Sequence, residues 1–321
     1  MKALVLLSGG LDSSLALKII LDQGIEVEAL HFVSNFCGSD APARNLDQKF
    51  NVNLIEVEDG QELLNLTVNP QHGYGKNINP CIDCRIMRFR KAKEIMQQIG
   101  ASFIVTGEVL GQRPMSQHRQ AIELIERESG LEGLIVRPLC AQVLDPSVPE
   151  KEGWVDREAL LDVTGRSRKP QIALAQKYQI TDYSSPAGGC LLTDPGFSKR
   201  LRDIIDHDEI TLNNVELIKV GRVFRLSNDA KLVVGRNEKE NSRLLELAKE
   251  DDCVLEPVDV PGPTAILRGK RDGNNIKLCL DIVAAYCDGE GEKKIEIRHS
   301  KITKIGISKI HPKEDFASLK I

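Results

Sequence analysis

Five apolar residues, Ala3-Leu4-Val5-Leu6-Leu7, run straight into Ser8-Gly9-Gly10-Leu11-Asp12-Ser13-Ser14. Helical periodicity follows at once, with Leu15, Leu17, Ile19 and Ile20, and stops at Gly24. A buried parallel strand, a glycine-rich turn and a helix N-terminus in that order commit the start of the chain to a βα unit. Such a turn leaves free backbone N–H groups and the positive end of a helix dipole where a phosphate can sit. Gly9 and Gly10 let the backbone approach an anion, and Ser8, Ser13 and Ser14 add hydroxyl donors. Asp12 breaks the pattern, because a carboxylate beside phosphates repels them unless a cation intervenes. A bound Mg²⁺ would account for it.

The next segments keep alternating. Residues 25–32 and 52–57 read as strands, 42–50 as a helix between them, and 103–106 and 134–139 as two more strands. Residues 84–99 are amphipathic, with Ile86, Phe89, Ala92, Ile95, Met96 and Ile99 on one side and Gly100 as the stop. This alternation predicts an α/β fold, a doubly wound parallel sheet with helices on both faces, whose ligands bind at the carboxyl ends of the strands. His31 closes the second strand and is assigned to the nucleotide site. Residues 141–155 read as a surface loop, and 156–164 and 170–178 as helices. A chain of 321 residues suits two domains. The character changes near residue 206, so the expected division is a domain over 1–205 and a second, smaller α+β domain over 206–321. That second domain ends in a basic stretch (Lys293, Lys294, Arg298, Lys301, Lys304, Lys309, Lys313), with a loose tail after Pro312.

The loop resembles that of the PP-loop ATP pyrophosphatases, S-G-G-x-D-S-S, at every fixed position. The kinase-type G-x-x-x-x-G-K-[ST] is absent. The resemblance implies ATP cleaved between its α- and β-phosphates, with AMP transferred to a substrate oxygen that thereby becomes a leaving group. Net charge is −4 and aromatics are 4%, so any RNA contact comes from local patches rather than from a basic molecule or a large stacking platform. No run is long enough for a membrane span and no signal peptide precedes the first strand, which points to a cytoplasmic protein. Eight cysteines then favour metal binding or thiol chemistry over a disulfide framework.

Cys81-Ile82-Asp83-Cys84 stands at the start of the amphipathic helix after Pro80, where the helix dipole is expected to lower both thiol pKa values. Cys190 ends a Gly-Gly loop. One reading brings Cys81, Cys84 and Cys190 together around a [4Fe–4S] cluster, three ligands leaving one iron open to hold sulfide. Four-cysteine ligation is the usual arrangement for electron transfer. The competing readings are half of a zinc site, a persulfide and disulfide pair of Cys84 with Cys190, and plain buried cysteines. A zinc site would need a second C-x-x-C or an H-x₃₋₅-H, and neither exists here. Cys37 follows the second strand as a further candidate ligand or sulfur acceptor. Cys140, Cys253, Cys279 and Cys287 read as core.

Joined to Asn79-Pro80-Cys81-x-x-Cys84 and Cys190, the loop resembles the tRNA-thiolating branch of the PP-loop family. Thr106-Gly107-Glu108-Val109-Leu110-Gly111-Gln112 and Arg137-Pro138-Leu139 are similar to segments of tRNA 4-thiouridine synthetases, over roughly residues 1–200. Gly107 is placed with the nucleotide site on that basis. Val234-Gly235-Arg236-Asn237, Asn241 and Pro261-Gly262-Pro263-Thr264 resemble the RNA-binding domain of NFACT proteins. The resemblances imply an ATP-dependent tRNA sulfurtransferase that makes 4-thiouridine at position 8, with Asp12, Cys81, Cys84 and Cys190 catalytic. The implied cofactors are ATP, Mg²⁺ and the cluster. The implied partners are tRNA and either sulfide or a sulfur-donor protein such as a cysteine desulfurase, with a homodimer left open. Arg236, Lys239, Arg243, Arg268 and Lys270 would contact phosphates. Arg85, Arg88, Arg90, Lys91 and Lys93 would guide RNA to the cysteines, and Arg166, Arg168 and Lys169 would face pyrophosphate. Two other classes stay in view. One is a PP-loop ligase or amidotransferase on a small molecule or deazapurine, which lacks its cysteine quartet here. The other is a non-catalytic RNA-binding protein, against which the intact loop speaks.

Overall fold

The computed structural model describes residues 1–37, 49–181, 183 and 189–321. Most of the helix expected over 42–50, and Ser184 to Gly188 before Cys190, lie outside the described residues. Contacts divide the chain into Met1–Thr193 and Asp194–Ile321.

In the first unit, β1 (Lys2–Leu6), β2 (Glu26–Val33), β3 (Asn53–Glu58), β4 (Phe103–Val105) and β5 (Ile135–Val136) form one parallel sheet in the order β3-β2-β1-β4-β5. Its strands alternate as period two requires. Ala3 and Val5 face one core layer, completed by α1 (Leu11–Leu21) and α5 (Lys169–Lys177). Leu4 faces the other, formed with Ile86, Phe89, Ala92 and Met96 of α3 (Cys81–Gln98) and Ile125 of α4 (Arg119–Ser129). Both faces are covered, so the fold is the doubly wound α/β architecture expected. The helix α2 (Gly60–Val68) follows β3.

The strand order fixes where a ligand can enter. From β1 the chain first builds outward to β2 and β3, then returns to place β4 on the other side of β1. Loops leaving β1 and β4 therefore diverge at their carboxyl ends and open a crevice between them. Those loops are Ser8–Ser14 and Thr106–Gln112.

Between 156 and 164 only Arg157–Ala159 is helical, as a single 3₁₀ turn. The expected helix gives way because Leu161 and Val163 donate their N–H groups to Pro138 and Leu139, at 2.9 and 2.8 Å, and Thr164 bridges to Leu110. Extended pairing takes the bonds that a helix would have used.

The second unit begins at Asp194 rather than at residue 206, because α6 (Pro195–Asp206) packs on α7 (Leu212–Lys219). Its sheet runs β11-β10-β8-β9-β7-β6, every neighbouring pair antiparallel. The strands are β6 (Arg222–Ser227), β7 (Ala230–Val234), β8 (Cys253–Pro257), β9 (Ala265–Gly269), β10 (Lys293–His299) and β11 (Ile302–Ser308), joined by α8 (Glu238–Leu247) and α9 (Gly273–Ala285). The residues after Pro312 are not a loose tail: Phe316 is buried in the core beside α9, and the Ile321 N–H donates to the Val223 carbonyl at 3.0 Å. Among the described residues no helix is long and apolar enough to cross a membrane.

Candidate active site at the carboxyl edge of the parallel sheet

The loop after β1 turns at Gly9, whose φ of 73° is the left-handed region that suits glycine. Gly10 precedes α1 in extended conformation with no side-chain cap. The serines brace this turn. Ser13 and Ser14 each donate a hydroxyl to the Gly10 carbonyl at 2.9 Å, and the Ser8 N–H donates to Ser13 Oγ at 3.2 Å. Their hydroxyls are thus taken up within the loop, which leaves backbone groups and the helix end to meet an anion. His31 is buried at the end of β2 with Nδ1 2.8 Å from the Leu7 carbonyl, so it ties β2 to the loop's entry.

Asp12 carries the telling feature. Its Oδ2 accepts from Gln112 Nε2 at 2.8 Å, and Gln112 Oε1 in turn accepts from Gln171 at 3.3 Å. Its Oδ1 is buried with no hydrogen-bond partner among the described residues. An orphaned carboxylate oxygen beside a helix N-terminus is costly unless a partner completes it, and the hard oxygen donor suits a divalent cation such as Mg²⁺. Of the three cationic residues expected at pyrophosphate, Arg168 has a buried Nε without a partner among the described residues. Its segment lies near the loop through the Gln171–Gln112–Asp12 chain.

Gly107 sits where β4 ends against α1. A Cβ there would lie 2.4 Å from the Ser13 nitrogen and 2.5 Å from the Asp12 carbonyl carbon. Both obstacles are backbone, so neither side can yield. Gly107→Ala is expected to destabilise the first unit by about 2–3 kcal/mol, seen as a Tm lowered by roughly 5–10 °C in thermal unfolding. An unchanged Tm would show that the close approach is not real.

Glu108 lies buried beyond Gly107. One oxygen accepts from Arg85 Nη1, the other from Arg137 Nε at 2.8 Å, and Arg137 also pairs with Glu126. Burial raises the Glu108 pKa, but Arg85 and Arg137 outweigh it and hold the carboxyl below its ordinary value. The T-G-E and R-P-L segments and the residue after the C-x-x-C are therefore one charged cluster.

The cysteines gather by backbone ties. Leu191 N–H donates to the Phe36 carbonyl at 2.9 Å, which sets Cys190 beside Cys37. Asn77 Nδ2 donates to the Thr193 carbonyl at 2.7 Å, which draws the same segment to the loop before Cys81. Arg88, one turn along α3 from Cys84, reaches Cys37 Sγ at 3.6 Å and Asp59 at 2.5 Å. Cys37, Cys81, Cys84 and Cys190 all keep some surface exposed. Even so, the expected lowering of the C-x-x-C thiols does not occur. Desolvation raises Cys81 and pushes Cys84 up to about 11, against the opposing charges of Arg85 and Arg88. Burial, with Cys37, Cys84 and Cys81 nearby, pushes Cys190 up to about 12. Among the described residues no group of three or more His, Cys, Asp or Glu is arranged to hold a metal ion. The donor chemistry nevertheless suits an iron–sulfur cluster: soft thiols contributed by α3 and by the Cys190 segment, desolvated and adjacent.

Four of the basic residues of α3 have partners within the first unit, although Arg90 stays exposed. Arg85 is held by Glu108, Arg88 by Asp59, Arg90 by the Glu128 carbonyl at 2.8 and 3.0 Å, and Lys91 by Glu62 at 2.7 Å. In the second unit Arg268 is likewise internal, bonded to Asp252, Asn213 and Asn214. Arg236 and Arg243 remain exposed but pair with Glu240 and Glu246, and Lys270 stands 3.4 Å from Asp272. Asn241 joins the two NFACT-like strings: its Oδ1 accepts from the Thr264 N–H at 3.1 Å, and its Cγ region fills the space above Gly235.

Gln112, Glu108 and Arg137 lay inside motifs already singled out, but nothing in their spacing announced their partners. The pairing of Asp59 with Arg88 has no sequence signal, the two being 29 residues apart.

Residues 1–144 match the family model described as thiamine biosynthesis protein (ThiI), and residues 221–315 match that of the NFACT protein RNA binding domain. A probable tRNA sulfurtransferase of Staphylococcus aureus (strain Newman) is 30% identical over 121 residues, which is 35% of this chain and 28% of that protein. The chain thus aligns with less than a third of the length of the curated relatives it matches. Among solved structures, a 4-thiouridine synthetase–RNA complex with bound ATP is 23% identical, with a TM-score of 0.38, over 64% of this chain and 50% of the other. The U34-tRNA thiolase NcsA from Methanococcus maripaludis with its [4Fe-4S] cluster is 16% identical, with a TM-score of 0.35, over 68% and 70%. These matches agree with the resemblance carried by the motifs: the start of the chain is similar to the ThiI model and to tRNA sulfurtransferases, and residues 221–315 are similar to the NFACT RNA binding domain.

Proposed function

We propose that the protein is an ATP-dependent tRNA sulfurtransferase, converting a uridine of tRNA to thiouridine, with 4-thiouridine at position 8 as the product. What carries the reading is the meeting of two chemistries at one edge of the sheet. The phosphate loop with its orphaned Asp12 oxygen lies there, and Gly107 and Glu108 join it to the helix that bears Cys81 and Cys84.

ATP lies over Ser8–Ser14, its phosphates on the backbone N–H groups at the start of α1. Asp12 Oδ1 would hold Mg²⁺, which neutralises phosphate charge. The uridine carbonyl oxygen attacks the α-phosphorus, and the bond to the β-phosphate breaks to release pyrophosphate. The ring carbon then carries AMP as leaving group. Sulfide attacks that carbon, and AMP departs with the former carbonyl oxygen. Cys81, Cys84 and Cys190 would hold a [4Fe–4S] cluster, which would supply the sulfur nucleophile. The sulfur comes from free sulfide, or from a donor such as a cysteine desulfurase, whose persulfide sulfur is released as sulfide by a thiol reductant that is oxidised to its disulfide. The protein's own part is to hold nucleophile and activated base within reach, which supplies much of the rate. The NFACT-type domain contributes tRNA affinity through Arg236, Lys239, Arg243 and Lys270. Arg268 is excluded from that role by its internal bonds.

The test is reconstitution without oxygen. Protein, tRNA, Mg²⁺-ATP and sulfide should yield AMP and a thiouridine detected by mass spectrometry of digested nucleosides. AMP without any thiouridine would redirect the reading to a ligase, and no ATP cleavage would redirect it to an RNA-binding protein.

A further inference from the structure

The two halves of the proposed reaction come from distant parts of the chain, and one side chain spans them. Gly107 lies on the Asp12–Ser13 backbone with no room for a methyl group. The next residue, Glu108, is buried and its carboxylate is gripped from two sides. Arg85, the residue after Cys84, donates to Oε1, and Arg137 donates to Oε2 at 2.8 Å. Thr106 Oγ1 stands 3.4 Å from the same carboxylate. The path from the phosphate loop to the C-x-x-C helix is therefore one backbone contact, one residue and one ion pair. Arg137 is anchored in turn by Glu126 on α4, so the carboxylate cannot follow Arg85 if that helix shifts.

We infer that Glu108 is a positioning residue: its ion pair with Arg85 holds the first turn of α3, and with it Cys81 and Cys84, at the working distance from the phosphate loop. This inference rests on the sulfurtransferase reading and says what keeps its two steps in step. An adenylated uridine that does not meet sulfide promptly meets water. Water attacking the same carbon expels AMP and restores the uridine, consuming ATP to no effect. The separation of the thiol group from the loop therefore sets how many AMP molecules are made for each thiouridine.

The experiment measures that ratio. In the anaerobic reconstitution, AMP and thiouridine are counted together for the wild type, Glu108→Gln and Arg85→Gln. Glu108→Gln keeps the shape and loses the charge. Thiouridine formation is expected to fall roughly 100-fold, the scale of an ångström's misplacement of reacting groups, while AMP formation continues, so the ratio of AMP to thiouridine rises steeply. Arg85→Gln, at a partly exposed side chain, should raise the ratio alike and serves if the buried substitution prevents folding. The double variant should be no worse than either single one. A purely structural role would lower both products together; an unchanged ratio in both variants overturns the inference while the sulfurtransferase reading stands. A wild type that makes no thiouridine overturns the reading and the inference with it.

Discussion

Asp12→Asn is expected to lower tRNA-dependent release of pyrophosphate by roughly 100- to 1000-fold, the scale set by removing one group that stabilises transition-state charge. The fold should survive, because the hydrogen bond that the Asp12 side chain accepts from Gln112 does not need its charge. Gln112 Nε2 donates to Oδ2 at 2.8 Å, and an asparagine carbonyl oxygen in that place accepts the same bond. The amide nitrogen then falls where Oδ1 now lies buried and unpartnered. A nitrogen bearing two hydrogens cannot bind Mg²⁺, and it presents positive edges to any ion left between it and the phosphates. The loss is thus one of metal affinity first, and excess Mg²⁺ should recover only part of it. Pyrophosphate release measured against Mg²⁺ concentration, beside a thermal melt, separates the two effects. Activity within a few fold of wild type would remove Asp12 from the metal site. A collapsed melting temperature would make it a structural group.

That Asp12 could be singled out from sequence, while its partner Gln112 could not, reflects which interactions are local. The phosphate loop is a βα turn whose chemistry lies within seven consecutive residues, so Gly9, Gly10 and Asp12 were legible as soon as the strand and helix around them were. Sheet alternation was legible for the same reason, since Ala3, Val5 and Leu4 sort themselves by period two. What failed was reasoning that treated a charge or a thiol as if solvent surrounded it. Arg88 looked free on a basic helix, yet it meets Asp59 from the loop before α2. Arg268 looked like a phosphate contact, yet Asp252 and two asparagines enclose it. The helix dipole at Cys84 was a sound local argument, but burial is not local and it decided the direction. The helix expected over 156–164 lost to strand-like bonds from Pro138 and Leu139, partners more than twenty residues upstream in the chain.

Cys190→Ser should abolish thiouridine formation, by several orders of magnitude as expected when the group that delivers a nucleophile is lost, and leave ATP cleavage in place. The separation follows from how the segment is held. Its backbone is fixed by bonds that ignore the sulfur. The Cys190 carbonyl accepts from the Thr193 N–H at 2.9 Å and from its hydroxyl at 2.7 Å, and the next N–H donates to Phe36 at 2.9 Å. Serine is smaller by little and keeps every one of them, so the loop after β1 feels nothing. The sulfur atom itself is another matter. It lies in the same desolvated neighbourhood as Cys37, Cys81 and Cys84, and a hydroxyl is a poor ligand for the soft iron that such a set of thiols suits. Iron and labile sulfide per chain should drop with the activity. Cys279→Ser gives the contrast, since that cysteine is buried in the core of the second unit: it should lower stability and leave the ratio of thiouridine to AMP where it was. Full thiolation by Cys190→Ser would remove that residue from the sulfur site and leave Cys37, already beside Cys84 and bonded by Arg88, as the thiol to replace next.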